Sequence, residues 1–268
     1  MNKTVRSLLL KTPKVYDFIH NIKNNYFLSF YLNKVHEPDF NAFKLICDDR
    51  PQLFLDIGAN VGMSALSFFT LKPNAKVISF EPNPVNYPYL DRLSNKFPNF
   101  QYIKSGLGDR PGVIDFYYPI YNGKEMTALG SCDYQKAQSW LNKDTVYFFD
   151  VNKLKIEKIT INIDTLDSHE LQPEFIKIDV EGFEYQVLLG AQETIKNNRP
   201  ILLIEGVAKG DKVHMLLQEW GYDIYQFYNN KFYLNQFDCA NNFFVPREKT
   251  ARVQPYLASE KELLAIAT

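Results

Sequence analysis

One stretch, LFLDIGANVG at residues 53–62, constrains the fold of this chain more than any other. Leu53, Phe54, Leu55 and Ile57 carry Asp56 into a turn flanked by Gly58 and Gly62. Met63, Leu66 and Phe69 then recur at helical spacing. Strand, tight turn and helix in that order place an acidic side chain at the carboxyl end of a strand. In open α/β sheets ligands bind at those ends, against the N-terminus of the following helix. The glycines let a ligand approach the backbone, and Asp56 can accept hydrogen bonds from a cofactor's polar groups. The spacing is D-x-G-x-x-x-G rather than the G-x-G-x-x-G of dinucleotide binders, so a different nucleotide-like ligand is expected.

The same rhythm repeats. KVISF at 76–80 runs into Glu81-Pro82-Asn83-Pro84, where prolines end a strand and open a helix. Tyr87, Leu90 and Leu93 supply the helical face, and a third strand from Phe100 closes on Ser105-Gly106-Leu107-Gly108-Asp109. These units predict a parallel sheet with helices on its faces. Between 112 and 163 the pattern changes. β-like runs at 113–118, 145–149 and 158–163, with no helix-length pattern between the first two, predict an antiparallel insertion over one end of the sheet. FIKIDV at 175–180 resumes the sheet and ends on Glu181-Gly182, and PILLI at 200–204 ends on Glu205-Gly206. After a helix carrying Val213, Leu216, Leu217 and Trp220, runs at 222–228 and 231–234 flank Asn229-Asn230. Asparagine tolerates left-handed backbone, so this pair predicts a hairpin.

The expected organisation is a helical cap over 1–50, a main domain over 51–244 with a β-rich insertion at 112–163, and a tail over 245–268. In the cap, Val15, Phe18, Ile19 and Ile22 predict one helix and residues 38–50 another; a short helix is expected at 260–266.

Composition narrows the partners. Thirty basic residues balance 31 acidic ones, so no global field favours nucleic acid or a membrane surface. A 46% hydrophobic and 15% aromatic content is ample for a large core. Cys47, Cys132 and Cys239 have no metal-like spacing and suggest a reducing compartment. Leu8-Leu9-Leu10 is bounded by charge and too short for a signal peptide or membrane span, so a cytoplasmic protein is expected. A homo-oligomer is compatible with the sequence.

Asp56, Glu81, Asp179 with Glu181, and Glu205 all fall at the carboxyl ends of the predicted parallel strands. Acids converging on one edge need hydrogen bonds, cations or a positively charged ligand. Glu81, a strand and a helix beyond the glycine turn, stands where an acid commonly accepts two ribose hydroxyls.

LDIGANVG, SFEPNP, IKIDVEGFEYQVLLGA and PILLIE together resemble the FkbM family of S-adenosylmethionine-dependent methyltransferases. The resemblance runs from about residue 53 to 222, and IDVEG is its most specific part. It implies a Rossmann-like class I methyltransferase fold: a seven-stranded, mostly parallel α/β sheet ending in an antiparallel hairpin, with helices on both faces. It implies that Asp56, Gly58, Asn60 and Gly62 surround the methionine part of S-adenosyl-L-methionine and that Glu81 holds the ribose. Leu107, Gly108 and Asp109 would border the adenine, and Asn83 joins the cofactor set. Family members typically methylate hydroxyls of sugars, glycans or polyketide-like products, so a glycan or small-molecule acceptor is expected.

Asp179, as the leading acid–base or substrate-positioning residue, and Glu181, supporting it, are the candidate catalytic residues. On a strand they share one face with Lys177, while Ile176, Ile178 and Val180 face away. The competing reading is a buried Lys-Asp-Glu cluster that fixes the strand end. Asp179, Glu181 and Glu205 could also offer oxygens to a divalent ion, but the resemblance does not demand a metal and none is assigned. His20, His36, His169 and His214 show no ligand spacing; His214 is expected to face solvent or cap a turn. Thr127 and Ser131 are candidate substrate contacts. A metal-dependent glycosyltransferase using the D-x-E pair, a nicotinamide dehydrogenase and a non-catalytic binding module are the rival readings. The first has no need of the glycine turn, the second has the wrong glycine spacing, and the third retains every acid it should have lost.

Overall fold

In the computed structural model of the protein, residues 32–237 and 239–259 are described, together with Thr4, Ser7 and Leu28. The expected helices at 15–22 and 260–266 lie outside the described residues. Residues 38–46 form a 3-10 turn, Pro38–Ala42, continued by α1 (Phe43–Ile46), which ends earlier than the predicted helix.

The LFLDI run forms β1 (Leu53–Ile57), buried on both faces, which is why it reads as continuous apolar sequence rather than an alternation. α2 (Met63–Leu71) follows, then β2 (Lys76–Phe80), α3 (Tyr87–Lys96) and β3 (Phe100–Ile103). The chain next leaves the main sheet. β4 (Gly106–Leu107), β5 (Gly112–Tyr121), β6 (Lys124–Glu125), α4 (Tyr134–Ser139) and β7 (Leu154–Asp164) make a second unit, with strand order β4-β7-β5-β6. β5 and β7 pair antiparallel from Gly112↔Ile163 to Tyr121↔Leu154, as the insertion predicts. Two expectations fail here. Residues 145–149 are turns rather than a strand, and a helix, α4, stands where no helical pattern was legible. Leu141 and Val146 are buried in a small satellite core with Tyr121, so apolar residues in this loop mimic a strand pattern.

The chain then returns through β8 (Phe175–Ile178), α5 (Glu184–Leu189), α6 (Gln192–Asn198), β9 (Ile201–Glu205), α7 (Lys212–Glu219), β10 (Tyr222–Tyr228), β11 (Lys231–Leu234) and β12 (Asn241–Pro246). The main sheet has eight strands in the order β11-β10-β12-β9-β8-β1-β2-β3. β1, β2, β3, β8 and β9 run parallel, and β12 lies antiparallel between β9 and β10. The fold is therefore the α/β class I methyltransferase arrangement, with a strand count corrected from seven to eight. The β10–β11 hairpin is present around Asn229 and Asn230, both at positive φ, but it is the sheet's edge and β12 fills the place beside β9. β12 was hidden because the apolar run in NNFFVP is short and straddles the expected boundary between the main domain and the tail. Beyond β12, Val253 is fully buried and Arg252 Nη1 pairs with Glu174 at 2.6 Å, so this segment packs back on the sheet.

Strand alternation divides the core. Phe54, Val77, Phe175 and Phe243 of the sheet pack with a layer formed by Phe40, Phe43, Phe68 and Leu90, with the Phe54 and Phe68 rings stacked at 4.2 Å. Leu55, Ile78, Ile176 and Leu202 face the opposite layer, filled by Val187, Leu188, Ile195 and Leu217 of the helices after β8 and β9. Helices thus cover both faces, and only the strand ends stay open for chemistry. No helix among the described residues is long and apolar enough to cross a membrane.

Candidate active site

The carboxyl ends of β1, β2 and β8 border an open cleft. From the sheet, Gly58, Asn60, Glu81, Asn83, Asp179 and Glu181 line it. The insertion supplies Ile114, Phe116, Thr127, Gly130 and Cys132 across from them, so it roofs the strand ends.

The glycine turn is built for close approach. Gly58 has φ +84° and Gly62 φ +86°, in the left-handed region that β-carbons disfavour. Asn60, at φ +49°, sends its backbone N–H to Glu81 Oε2 at 2.7 Å. Asn83 N–H donates to the other oxygen of Glu81 at 2.8 Å. Burial nevertheless pushes the Glu81 carboxyl up to about 7. Beside it, Asn83 is buried, and its Oδ1 accepts from Val85 N–H at 3.2 Å. Asn83 Nδ2 has no partner, an unpaired buried donor in a cleft wall.

Four residues expected to surround the cofactor stand back from the cleft wall. Asp56 is fully buried behind the turn, where its Oδ2 accepts from Ser79 Oγ at 3.2 Å. Burial raises its carboxyl to about 6 despite the nearby Lys177 ammonium. Gly62 packs on Leu90 and Leu93, and Gly108 on Phe183 and Ile163. Asp109 is exposed. Of the predicted adenine turn, Leu107 lines the cleft, at the point where β4 carries the chain into the second sheet.

The second cluster centres on Asp179. β8 stops at Ile178, so Asp179 and Glu181 lie on a turn and not, as the pattern predicted, on one strand face with Lys177. Glu181 at φ +55° and Gly182 at φ +99° bend the chain back. Lys177 is buried, and its Nζ donates to Asp179 Oδ2 at 2.7 Å. Burial opposes the charge on both, yet Lys177 and the carboxyl group of Glu205 hold Asp179 down at about 2. Glu205 is pushed up by its hydrogen bond to Asp179 and by burial, so the two acids titrate as a pair that shares a proton.

Glu181 is raised from its ordinary value, first by burial, with Lys136 opposing. Oxygens of Asp179, Glu181 and Glu205 lie within 4.8 Å of one another. That spacing is compact enough for a hard cation, but Lys177, Lys136 and the shared proton already answer the charge. Lys177, buried, pairs with the half-buried Asp179, and Asp179 and Glu181 line the cleft.

Some neighbours of the site left no mark in the sequence. His36 donates its backbone N–H to Ser67 Oγ, its Nδ1 lies 2.7 Å from the same oxygen, and burial lowers it to about 4. Glu37 and Asp39 share the side-chain amide of Asn241, at 3.1 Å each. Each contact with Asn241 joins residues some two hundred positions apart, which no local pattern encodes. Ser131, expected against substrate, instead donates its Oγ to the Glu181 carbonyl at 2.8 Å, whereas Thr127 lines the cleft. His214 Nδ1 accepts from Gly210 N–H at 3.1 Å, the expected turn-capping role.

Comparison with known proteins identifies the family. Residues 56–224 match the family model described as the methyltransferase FkbM domain. The chain is 27% identical over 190 residues to methyltransferase sdnD of Sordaria araneosa, covering 63% of this chain and 73% of that one. It is also 27% identical over 153 residues to the 2-O-methyltransferase NoeI of Sinorhizobium fredii, covering 55% of this chain and 60% of the relative. Among solved structures, methyltransferase FkbM from Methylobacillus flagellatus aligns with TM-score 0.45 and 17% identity, over 85% of this chain and 60% of that one. The chain belongs to the FkbM methyltransferase family and is an enzyme that transfers methyl groups.

Proposed function

We propose that the protein is an S-adenosylmethionine-dependent O-methyltransferase acting on a hydroxyl of a sugar, a glycan or a secondary metabolite. The observation that carries this reading is one cleft holding both halves of such a site: Glu81 with Asn83, whose amide nitrogen is unpartnered, and the acids Asp179 and Glu181. The residues fit the cofactor. Glu81 offers a buried carboxylate to paired hydroxyls, Asn83 Nδ2 is a donor in search of an acceptor, and Gly58 and Asn60 of the glycine turn line the cleft beside them. When bound there, S-adenosylmethionine supplies a methyl group already activated by its sulfonium.

What remains for the protein is alignment of an oxygen and removal of its proton. Alignment alone can contribute roughly 7–11 kcal/mol. Asp179, held charged at about 2, is a weak base but a firm hydrogen-bond acceptor, suited to orient the acceptor hydroxyl. Glu181, raised by burial and facing the same cleft, is better matched to take the proton as the O–C bond forms. The choice of an oxygen as methyl acceptor draws on NoeI, whose name is that of a 2-O-methyltransferase.

The test is transfer of labelled methyl from S-adenosylmethionine to fractionated glycans and small metabolites, alongside calorimetry with S-adenosylhomocysteine. Label in a carbohydrate or metabolite fraction, released by ether-cleaving chemistry, is expected. Tight binding of a uridine nucleotide in place of S-adenosylhomocysteine would instead establish a glycosyltransferase.

A further inference from the structure

The insertion does more than roof the cleft: it grips the turn that carries Glu181. Ser131 is fully buried, and its Oγ donates to the Glu181 carbonyl at 2.8 Å. Its own backbone is fixed to Tyr117 by a reciprocal pair of hydrogen bonds of 2.9 and 2.8 Å. Gly130, just before it, lies so close to Phe116 that a β-carbon would stand 2.3 Å from the ring. Asp133 then caps α4, accepting from the N–H groups of Gln135 at 2.7 Å and Lys136 at 3.2 Å. From that helix Lys136 Nζ reaches Glu181 Oε2 at 2.9 Å.

Glu181 therefore has both its backbone carbonyl and its carboxylate held by a segment some fifty residues upstream. The turn needs such holding. A non-glycine residue at φ +55° is in a sparsely populated region and persists when its surroundings over-determine it. Within the turn itself, Glu184 Oε1 accepts from Gly182 N–H at 3.0 Å, leaving the Glu181 carboxylate to be oriented from outside.

We propose that Ser131 and Lys136 are positioning residues of the methyl-transfer reaction, which fix Glu181 in the orientation that receives the acceptor's proton. The proposal rests on the reading of Glu181 as the proton acceptor. It makes the insertion a working part of the catalytic machinery, not only a wall of the acceptor site. A chain whose insertion is displaced would bind cofactor and transfer slowly.

The experiment compares full-length wild type with Lys136→Met, Lys136→Arg and Ser131→Ala by hydrogen–deuterium exchange, S-adenosylhomocysteine calorimetry and labelled-methyl transfer to the responsive fraction. Lys136→Met and Ser131→Ala are expected to speed exchange in residues 180–183 and leave residues 58–62 unchanged. Their kcat should fall roughly ten- to hundredfold, the scale of one charge-assisted hydrogen bond, with S-adenosylhomocysteine affinity kept. Lys136→Arg, which keeps the charge, should recover most of the rate. Unchanged exchange at 180–183 in both variants overturns the proposal, as does a kcat equal to wild type. Failure of wild type to bind S-adenosylhomocysteine would sink the cofactor reading, while the exchange data would still judge the grip on Glu181.

Discussion

Gly58 faces the carbonyl oxygen of Asp179 so closely that a β-carbon on Gly58 would lie 1.8 Å from it. The glycine turn after β1 and the acidic turn after β8 are thus in backbone contact, made possible by the parallel pairing of these two strands. The proposed cofactor and proton-accepting elements are one unit mechanically.

Gly58→Ala is the direct test of that contact. At φ +84° the new side chain is strained, at about 1–2 kcal/mol, and it also collides with backbone that cannot swing away. Denaturant titration should show a loss exceeding about 2 kcal/mol, and calorimetry should show S-adenosylhomocysteine binding reduced. An alanine variant with wild-type midpoint and affinity would contradict the packing described.

Lys177→Met should destabilise strongly. Lys177 is buried between Asp56 and Asp179, and although burial opposes its charge, those two acids keep it protonated. Removing one member of a buried pair costs about 3–5 kcal/mol, because the partner stays charged without compensation. The double variant Lys177→Met with Asp179→Asn should recover part of that loss. Chemical denaturation of both variants, read against Asp179→Asn alone, gives the coupling.

Cofactor affinity should depend on pH through Glu81. Burial raises its folded-state value to about 7, so the neutral form gains as pH falls through that value. Hydroxyl donors prefer the carboxylate, so S-adenosylhomocysteine affinity should drop as pH falls below about 7. The linkage to folding has the opposite sign: a raised carboxyl stabilises the fold fully below its ordinary value of 4.5, and that contribution is lost as pH rises through about 7. Calorimetry over about pH 5.5–8 should show the slope in wild type and its absence in Glu81→Gln.

Glu181→Gln should lower kcat by about 10²–10⁴ with cofactor affinity intact, the range for a positioned base. Asp179→Asn should also lose turnover, with a rise in acceptor KM that Glu181→Gln does not share. Turnover at the wild-type rate by Asp179→Asn on a verified acceptor would remove Asp179 from the site.

Chelation should leave transfer unchanged. Three acids are close enough to hold an ion, yet two lysines and a shared proton already balance them. Activity that vanishes with a chelator and returns with a divalent cation would reassign Asp179, Glu181 and Glu205 as its ligands.

By itself the sequence determined the fold class, the glycine turn, the parallel strands with acids at their ends, and the family. These are local or regularly repeated signals: a buried parallel strand must be apolar throughout, and a chain turning sharply at positive φ selects glycine or asparagine. Tertiary structure alone decided that β12 slips between β9 and β10, that Asp56 is sealed behind the turn, and that Asp109 stays outside. It also decided that Lys136 meets Glu181, and that Asp179 shares its proton with Glu205. Each of these depends on which distant segments come to lie side by side, and on how much water their meeting excludes. Ser131 and Lys136 look like ordinary polar loop and helix residues until the insertion folds over the strand ends and brings them against one turn.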